Sequence, residues 1–190
     1  MHHRHILHRY KKVVLILLSL ILPFYLYAQQ PAFRVVPLGV LGGLDESNLS
    51  AYMVAPYQSN NYVCLDAGTL HAGIAKAVTG HVFNIPAEDV LKRYIKGYLI
   101  SHPHLDHLAG LVINSPADTA KNIYALQSCI DVLKTHYFTW QSWANFADQG
   151  QAPALGKYHY RVLIPQKLTP LANTAMQVQA FPLSHANLQS

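Results

Sequence analysis

Apolar and polar positions alternate with period two over residues 49–57, 158–164 and 176–183, and this pattern predicts β-strands. A short apolar run at 62–65 predicts a return strand after Gln58-Ser59-Asn60-Asn61, whose side chains favour turns. Residues 49–65 therefore form an expected hairpin that ends at Asp66-Ala67-Gly68-Thr69. The clearest helical pattern covers residues 86–97. Pro86 suits the first helical position. Glu88 and Asp89 stand in the first turn and Lys92, Arg93 and Lys96 toward the last, which complements the helix dipole. Val90, Leu91, Tyr94 and Ile95 share one face, and Gly97 supplies a stop. Strands are expected at 98–100 and 122–126, with a helix over 129–138 capped by Ser128. A hairpin followed by alternating helices and strands predicts an α/β domain with helices packed outside a sheet. The polar clusters fall just past strand ends, where open sheets bind ligands.

The first 28 residues follow a different pattern. Arg4, Arg9, Lys11 and Lys12 precede an apolar run at 13–22, Pro23 breaks the run, and Ala28 offers a small residue at a cleavage site. This predicts a secretory signal peptide over residues 1–28 and an exported protein, periplasmic or secreted. The stretch at 13–28 is shorter than the roughly 20 residues needed to span a bilayer, so no membrane anchor is expected after cleavage. Residues 29–190 then form one domain.

Composition narrows the function classes. With 51% hydrophobic and 12% charged residues and a mean hydropathy of +0.12, the chain has too much apolar surface to be disordered. The formal charge of +5 suggests a nucleic-acid partner. Past residue 28, however, ten basic residues face nine acidic ones and are scattered, so no nucleic-acid footprint remains. Cys64 and Cys129 lie in strand-like and helix-like runs and are expected as buried free thiols, although export permits a disulfide.

The chemistry concentrates in His102-Pro103-His104-Leu105-Asp106-His107. Imidazole nitrogens and carboxylate oxygens are ligands for zinc and similar ions. Four such groups directly after a buried strand would suffer desolvation and mutual repulsion unless a metal gathered them.

The longer run from His102 to Gly110, Ser115 and Pro116 resembles the signature of the class II 3′,5′-cyclic-nucleotide phosphodiesterases, within the metallo-β-lactamase fold. Pro37-Leu38-Gly39 and the segment from Gly42 through Gly43, Glu46 and Asn48 are similar to that family's N-terminal loop. Asp66-Ala67-Gly68-Thr69, the stretch from Ile130 to His136, and Trp143, Asn145 and Phe146 also fit. The resemblance implies an αββα sandwich with two metal ions, zinc being expected. It implies His102, His104 and His185 as ligands of the first ion and Asp106 and His107 as ligands of the second. Asp66 would orient ligands, or else simply cap the turn before Gly68. The implied reaction is hydrolysis of a cyclic nucleotide, cyclic AMP above all, by a metal-activated hydroxide to a nucleoside 5′-phosphate, with Asp106 and His107 in the catalytic centre. Gly42, Gly43, Glu46, Asn48 and His136 would border this small-molecule substrate, or else form a solvated turn and a helix end. The family's metal-bridging Asp and final His have no counterpart among residues 186–190. The expectation is therefore an N-terminal portion of such an enzyme, with the sandwich incomplete and the second metal site weak. A lactone, thioester or ribonuclease-type hydrolase of the same fold, an inactive metal-binding remnant and a membrane-anchored protein are the alternatives.

Overall fold

The structure is a computed structural model that describes Lys11, residues 31–185, and residues 188 and 189. Apart from Lys11, the expected signal peptide lies outside the described residues. Six strands form one sheet in chain order: β1 (Phe33–Gly39), β2 (Ala51–Pro56), β3 (Tyr62–Leu65), β4 (Ile95–Leu99), β5 (Lys121–Ala125) and β6 (Tyr158–Val162). β1, β2 and β3 pair antiparallel, with Val35 opposite Val54 and Tyr52 opposite Leu65. β3 to β6 are parallel. Parallel neighbours need crossovers, and the helices supply them. α1 (His71–Thr79) and α2 (Ala87–Asp89) lead to β4, α2 continuing as a π turn over Val90–Tyr94. α3 (Leu105–Asn114) leads to β5, and α4 (Gln127–Val132), with a second π turn at Leu133–Tyr137, leads to β6.

Alternation along the strands divides two cores. Tyr62, Cys64, Tyr98, Ile123 and Ala125 face the helices and pack with Ile74, Leu91, Leu108, Leu111, Ile130 and Leu133. Each such aliphatic side chain contributes about 1.5–3 kcal/mol on full burial. Val63, Tyr124 and Leu163 face the other way, with Leu99 against them. There they meet Leu171, Val178 and Ala180 around a hairpin of β7 (Leu168–Pro170) and β8 (Gln177–Gln179). A last pairing joins β9 (Ser184–His185) to β10 (Leu188–Gln189). Of the αββα layers, the described residues thus supply a helix layer, one broad sheet and a two-stranded piece on its far face.

One buried ionic cluster sits at the start of β5. Lys121 Nζ is paired with Asp118 Oδ1, and both side chains are almost fully enclosed. The hydroxyls of Tyr98 and Tyr158 donate to Asp118 Oδ2 at 2.6 and 2.8 Å. Burial first, and then the charge of Asp118, push both phenols well above the usual tyrosine range.

Local patterns set the type of most elements but misplace some ends. The helix expected to reach residue 97 stops at Tyr94, because Ile95 already pairs with Tyr62 and Gly97 with Asn122 in the sheet. Gly97 is a strand residue, not a stop. A Cβ there would lie 3.1 Å from the Asn122 carbonyl and 3.2 Å from the Tyr124 ring. Ser128 does not cap α4; Leu126 occupies that place, its carbonyl accepting from the amides of Cys129 and Ile130. The strand expected over 176–183 shrinks to Gln177–Gln179, and Phe181 and Leu183 are exposed. Pro37-Leu38-Gly39 closes β1 and does not belong to a loop. Cys64 and Cys129 are both buried and free.

Candidate metal centre

The C-terminal ends of β3 and β4 carry the chemistry, as open parallel sheets favour. Asp66 follows β3, at a positive φ of 54° that Asp tolerates better than most residues. Ser101 and His102 follow β4. His104 caps α3, so Asp106 and His107 fall in its first turn. The helix is fastened to the strand end by exchanged backbone bonds: Ala67 N to His107 O at 2.7 Å, Gly110 N to Gly68 O at 2.8 Å and Leu111 N to Ala67 O at 3.0 Å.

Three imidazoles converge. His102, His104 and His185 can each present one nitrogen within 4.8 Å of the others. The ring centroids of His102 lie 4.7 Å from those of His104 and His185, and 4.0 Å from that of His107. No hydrogen bond joins the three rings to one another among the described contacts, and a shared cation satisfies such a cluster of lone pairs. Beside them, His107 Nε2 lies 3.3 Å from Asp106 Oδ2, while its Nδ1 lies 2.7 Å from Asp66 Oδ2. Burial, then the neighbouring His107, His104 and His185, hold the His102 imidazole below its usual range, against a smaller pull from Asp66. A neutral ring is the form that binds metal. The donor set fits a metal centre.

The glycine loop runs beside Asp106. Gly43, Leu44, Asp45, Glu46, Leu49, Leu105 and Asp106 line a cavity of about 530 Å³. A Cβ on Gly42 would stand 3.5 Å from Asp106 Oδ2, so that loop backbone passes close to the carboxylate. Asn48 is turned inward to the loop, where its Oδ1 accepts from Val40 N at 3.0 Å. His136 lies apart from the imidazole cluster, exposed at the end of its π turn with Nδ1 2.8 Å from Thr135 Oγ1. The adjacent Tyr137 hydroxyl, however, donates to Pro103 O at 3.0 Å, tying that turn to the ligand segment.

Ser101 was not singled out in the sequence, although it stands directly before His102. Gly68 and Gly110 also escaped notice as site-builders. Their close backbone approaches, 2.0 Å from a Gly68 Cβ to Asp106 O and 2.8 Å from a Gly110 Cβ to Ala67 O, exist only once the chain is folded.

Imidazoles and carboxylates gathered at the ends of parallel strands define a candidate metal-binding protein of the α/β class. A model of the class-II cAMP phosphodiesterases matches residues 32–189, and the chain belongs to that family. The chain is 39% identical over 191 residues to a 3′,5′-cyclic-nucleotide phosphodiesterase of Aliivibrio fischeri, a match covering 95% of this chain and 58% of the relative. It is 39% identical over 179 residues to a probable 3′,5′-cyclic-nucleotide phosphodiesterase of Yersinia pestis, covering 88% and 52%. The chain thus spans little more than half the length of these relatives. Among solved structures, unliganded yeast PDE1 superposes with a TM-score of 0.61 at 20% identity over 76% of this chain and 54% of that one. The metallo-β-lactamase fold protein YhfI from Bacillus subtilis gives a TM-score of 0.45 at 18% identity, covering 74% and 49%.

Proposed function

We propose that the protein hydrolyses 3′,5′-cyclic nucleotides to nucleoside 5′-phosphates, with cyclic AMP as the leading substrate. His102, His104 and His185 hold one zinc ion, and Asp106 and His107 contribute to a second. The observation that carries this is the convergence of three imidazoles beside the Asp106–His107 pair, Asp106 also lining the cavity that the glycine loop borders. The substrate class is supported by the names of the relatives. Bound zinc supplies Lewis-acid polarisation of a phosphoryl oxygen and a lowered pKa for attacking water.

The chain's own groups do the positioning. Asp66 fixes the ring of His107, and α3 fixes Asp106 against Gly42. The cavity of about 530 Å³ falls within the range of pockets that enclose small ligands. Gly43 and Glu46 border the nucleotide there, and Gly42 borders it from beside Asp106. Asn48 acts on the shape of the loop, and His136 meets the nucleotide from the outer rim that Tyr137 ties to the ligand segment. Residues 1–28 act as a removable leader, so that residues 29–190 work outside the cytoplasm; N-terminal sequencing of the exported protein should begin at Gln29.

The test combines metal analysis with turnover. Purified protein refolded with zinc should retain the metal and convert cyclic AMP to 5′-AMP, and His102→Ala should lose both properties. Zinc-free protein after refolding, or cleavage of a lactone without cleavage of cyclic AMP, overturns the assignment.

A further inference from the structure

We propose that Ser101 is a positioning residue that couples the two parts of the site through one carboxylate. Its amide donates to Asp66 Oδ1 at 2.8 Å. Its hydroxyl lies 3.0 Å from Asp66 Oδ2 and 3.0 Å from His102 Nδ1. The same Oδ2 lies 2.7 Å from His107 Nδ1.

Donor inventory fixes the direction of the bonds around Asp66 and Ser101, while His107 Nε2, 3.3 Å from Asp106 Oδ2, stands outside this chain of bonds. A carboxylate only accepts, so the Ser101 hydroxyl gives its single proton to Asp66, and His107 carries a proton on Nδ1. Ser101 Oγ can then only accept from His102, which must also carry its proton on Nδ1. A neutral imidazole protonated on Nδ1 presents its lone pair at Nε2. Asp66 thereby selects Nε2 as the donor atom of His107 directly, and of His102 through Ser101. Partners of this kind, which set ring orientation and tautomer, typically change metal affinity by about 10- to 100-fold when removed. Ser101 is exposed on its other side, where with Asp66, Leu65, Leu99 and Phe181 it borders an apolar cavity of about 320 Å³. The effect on affinity rests on the metal assignment above, but the tautomer does not, and neither depends on the cyclic nucleotide.

The experiment uses the full chain labelled with ¹⁵N-histidine. Long-range ¹H–¹⁵N spectra of the metal-free protein should show His102 and His107 both protonated on Nδ1. Ser101→Ala should move His102 toward the Nε2-protonated form while leaving His107 unchanged. In competition with a chromophoric chelator, its zinc affinity should fall about 10- to 100-fold, and Ser101→Thr should restore both readings. An Nε2-protonated His102 in the parent overturns the proposal. So does an alanine variant with parental tautomer and affinity, the result expected if water takes over the hydroxyl's place. If Ser101→Ala does not fold, the parent's tautomers and the threonine variant still decide. A parent that binds no zinc refutes the metal assignment, while its His102 tautomer continues to test the relay.

Discussion

Replacing Gly68 with alanine should disable the site from behind. A Cβ at that position would stand 2.0 Å from the Asp106 carbonyl oxygen and 2.6 Å from Leu49 Cβ, where ordinary contact begins near 3.4 Å. The carbonyl would need to retreat by the difference, 3.4 − 2.0 = 1.4 Å. Little around it can give. Gly68 N donates to Ser50 O at 2.9 Å, Gly68 O accepts from Gly110 N at 2.8 Å, and Ala67 exchanges bonds with His107 and Leu111. Overpacking ordinarily destabilises by about 1–3 kcal/mol, and an obstacle made of backbone places this variant near 3 kcal/mol. For a chain of this size that corresponds to a fall in Tm of roughly 6–12 °C, read by circular dichroism. The displaced peptide carries Asp106 and His107 with it, and a shift of about 1 Å in a functional group can reduce activity on the order of 10²-fold. On the proposed function, zinc affinity and cyclic AMP turnover should therefore fall together. Gly42→Ala is the control: its Cβ meets only Asp106 Oδ2, at 3.5 Å, so stability should stay near the parent's. A Gly68→Ala protein that melts with the parent and binds zinc as tightly refutes the packing reasoning.

Three further outcomes are expected. His185→Ala removes an exposed ring, so it should leave the melting transition of the metal-free protein nearly unchanged while weakening zinc binding beyond the roughly 10- to 100-fold seen when a merely orienting partner is lost. Asp118→Asn leaves Lys121 charged and buried without its counterion and should destabilise by about 3–5 kcal/mol in urea unfolding; an unchanged midpoint would contradict the buried pair. Burial, helped by the charge of Asp66, pushes the Cys129 thiol up to about 12. The unfolded chain loses that proton from about pH 8.5, so this contribution to stability is complete below that pH and is lost as pH rises toward 12. The urea midpoint should accordingly be lower at pH 10 than at pH 7, less so in Cys129→Ala, and neither Cys64 nor Cys129 should react with a thiol reagent until the protein unfolds.

Where the sequence carried a local signal, the structure was legible. Residues 62–65 form the strand expected of them, since their apolar run is bounded by turn chemistry on one side and Asp66 on the other. The strands at 51–56, 121–125 and 158–162 also lie within a residue or two of the periodic segments. Gly97 was misjudged because a glycine after a helical run resembles a stop until the neighbouring strand, which needs the space, is known. α1 carries neither an acidic first turn nor a side-chain cap, and α3 begins inside the histidine cluster, so neither offered a start signal. The cluster itself stood out as spacing. The part played by Ser101 did not, because a serine becomes informative only when Asp66, some thirty-five positions earlier, is folded against it.

The placement of His185 also bears on how the molecule holds together. Among the described residues beyond Leu163 few side chains are buried, Leu171 being the main one, and this segment reaches the imidazole cluster from the far face of the sheet. An ion gripped by His102, His104 and His185 would act as a clasp, closing a long excursion of backbone whose entropy grows only slowly with its length. Part of its binding energy would then be anchorage energy for the tail. Stripping it with a chelator would free the tail for proteolysis well before the sheet gives way.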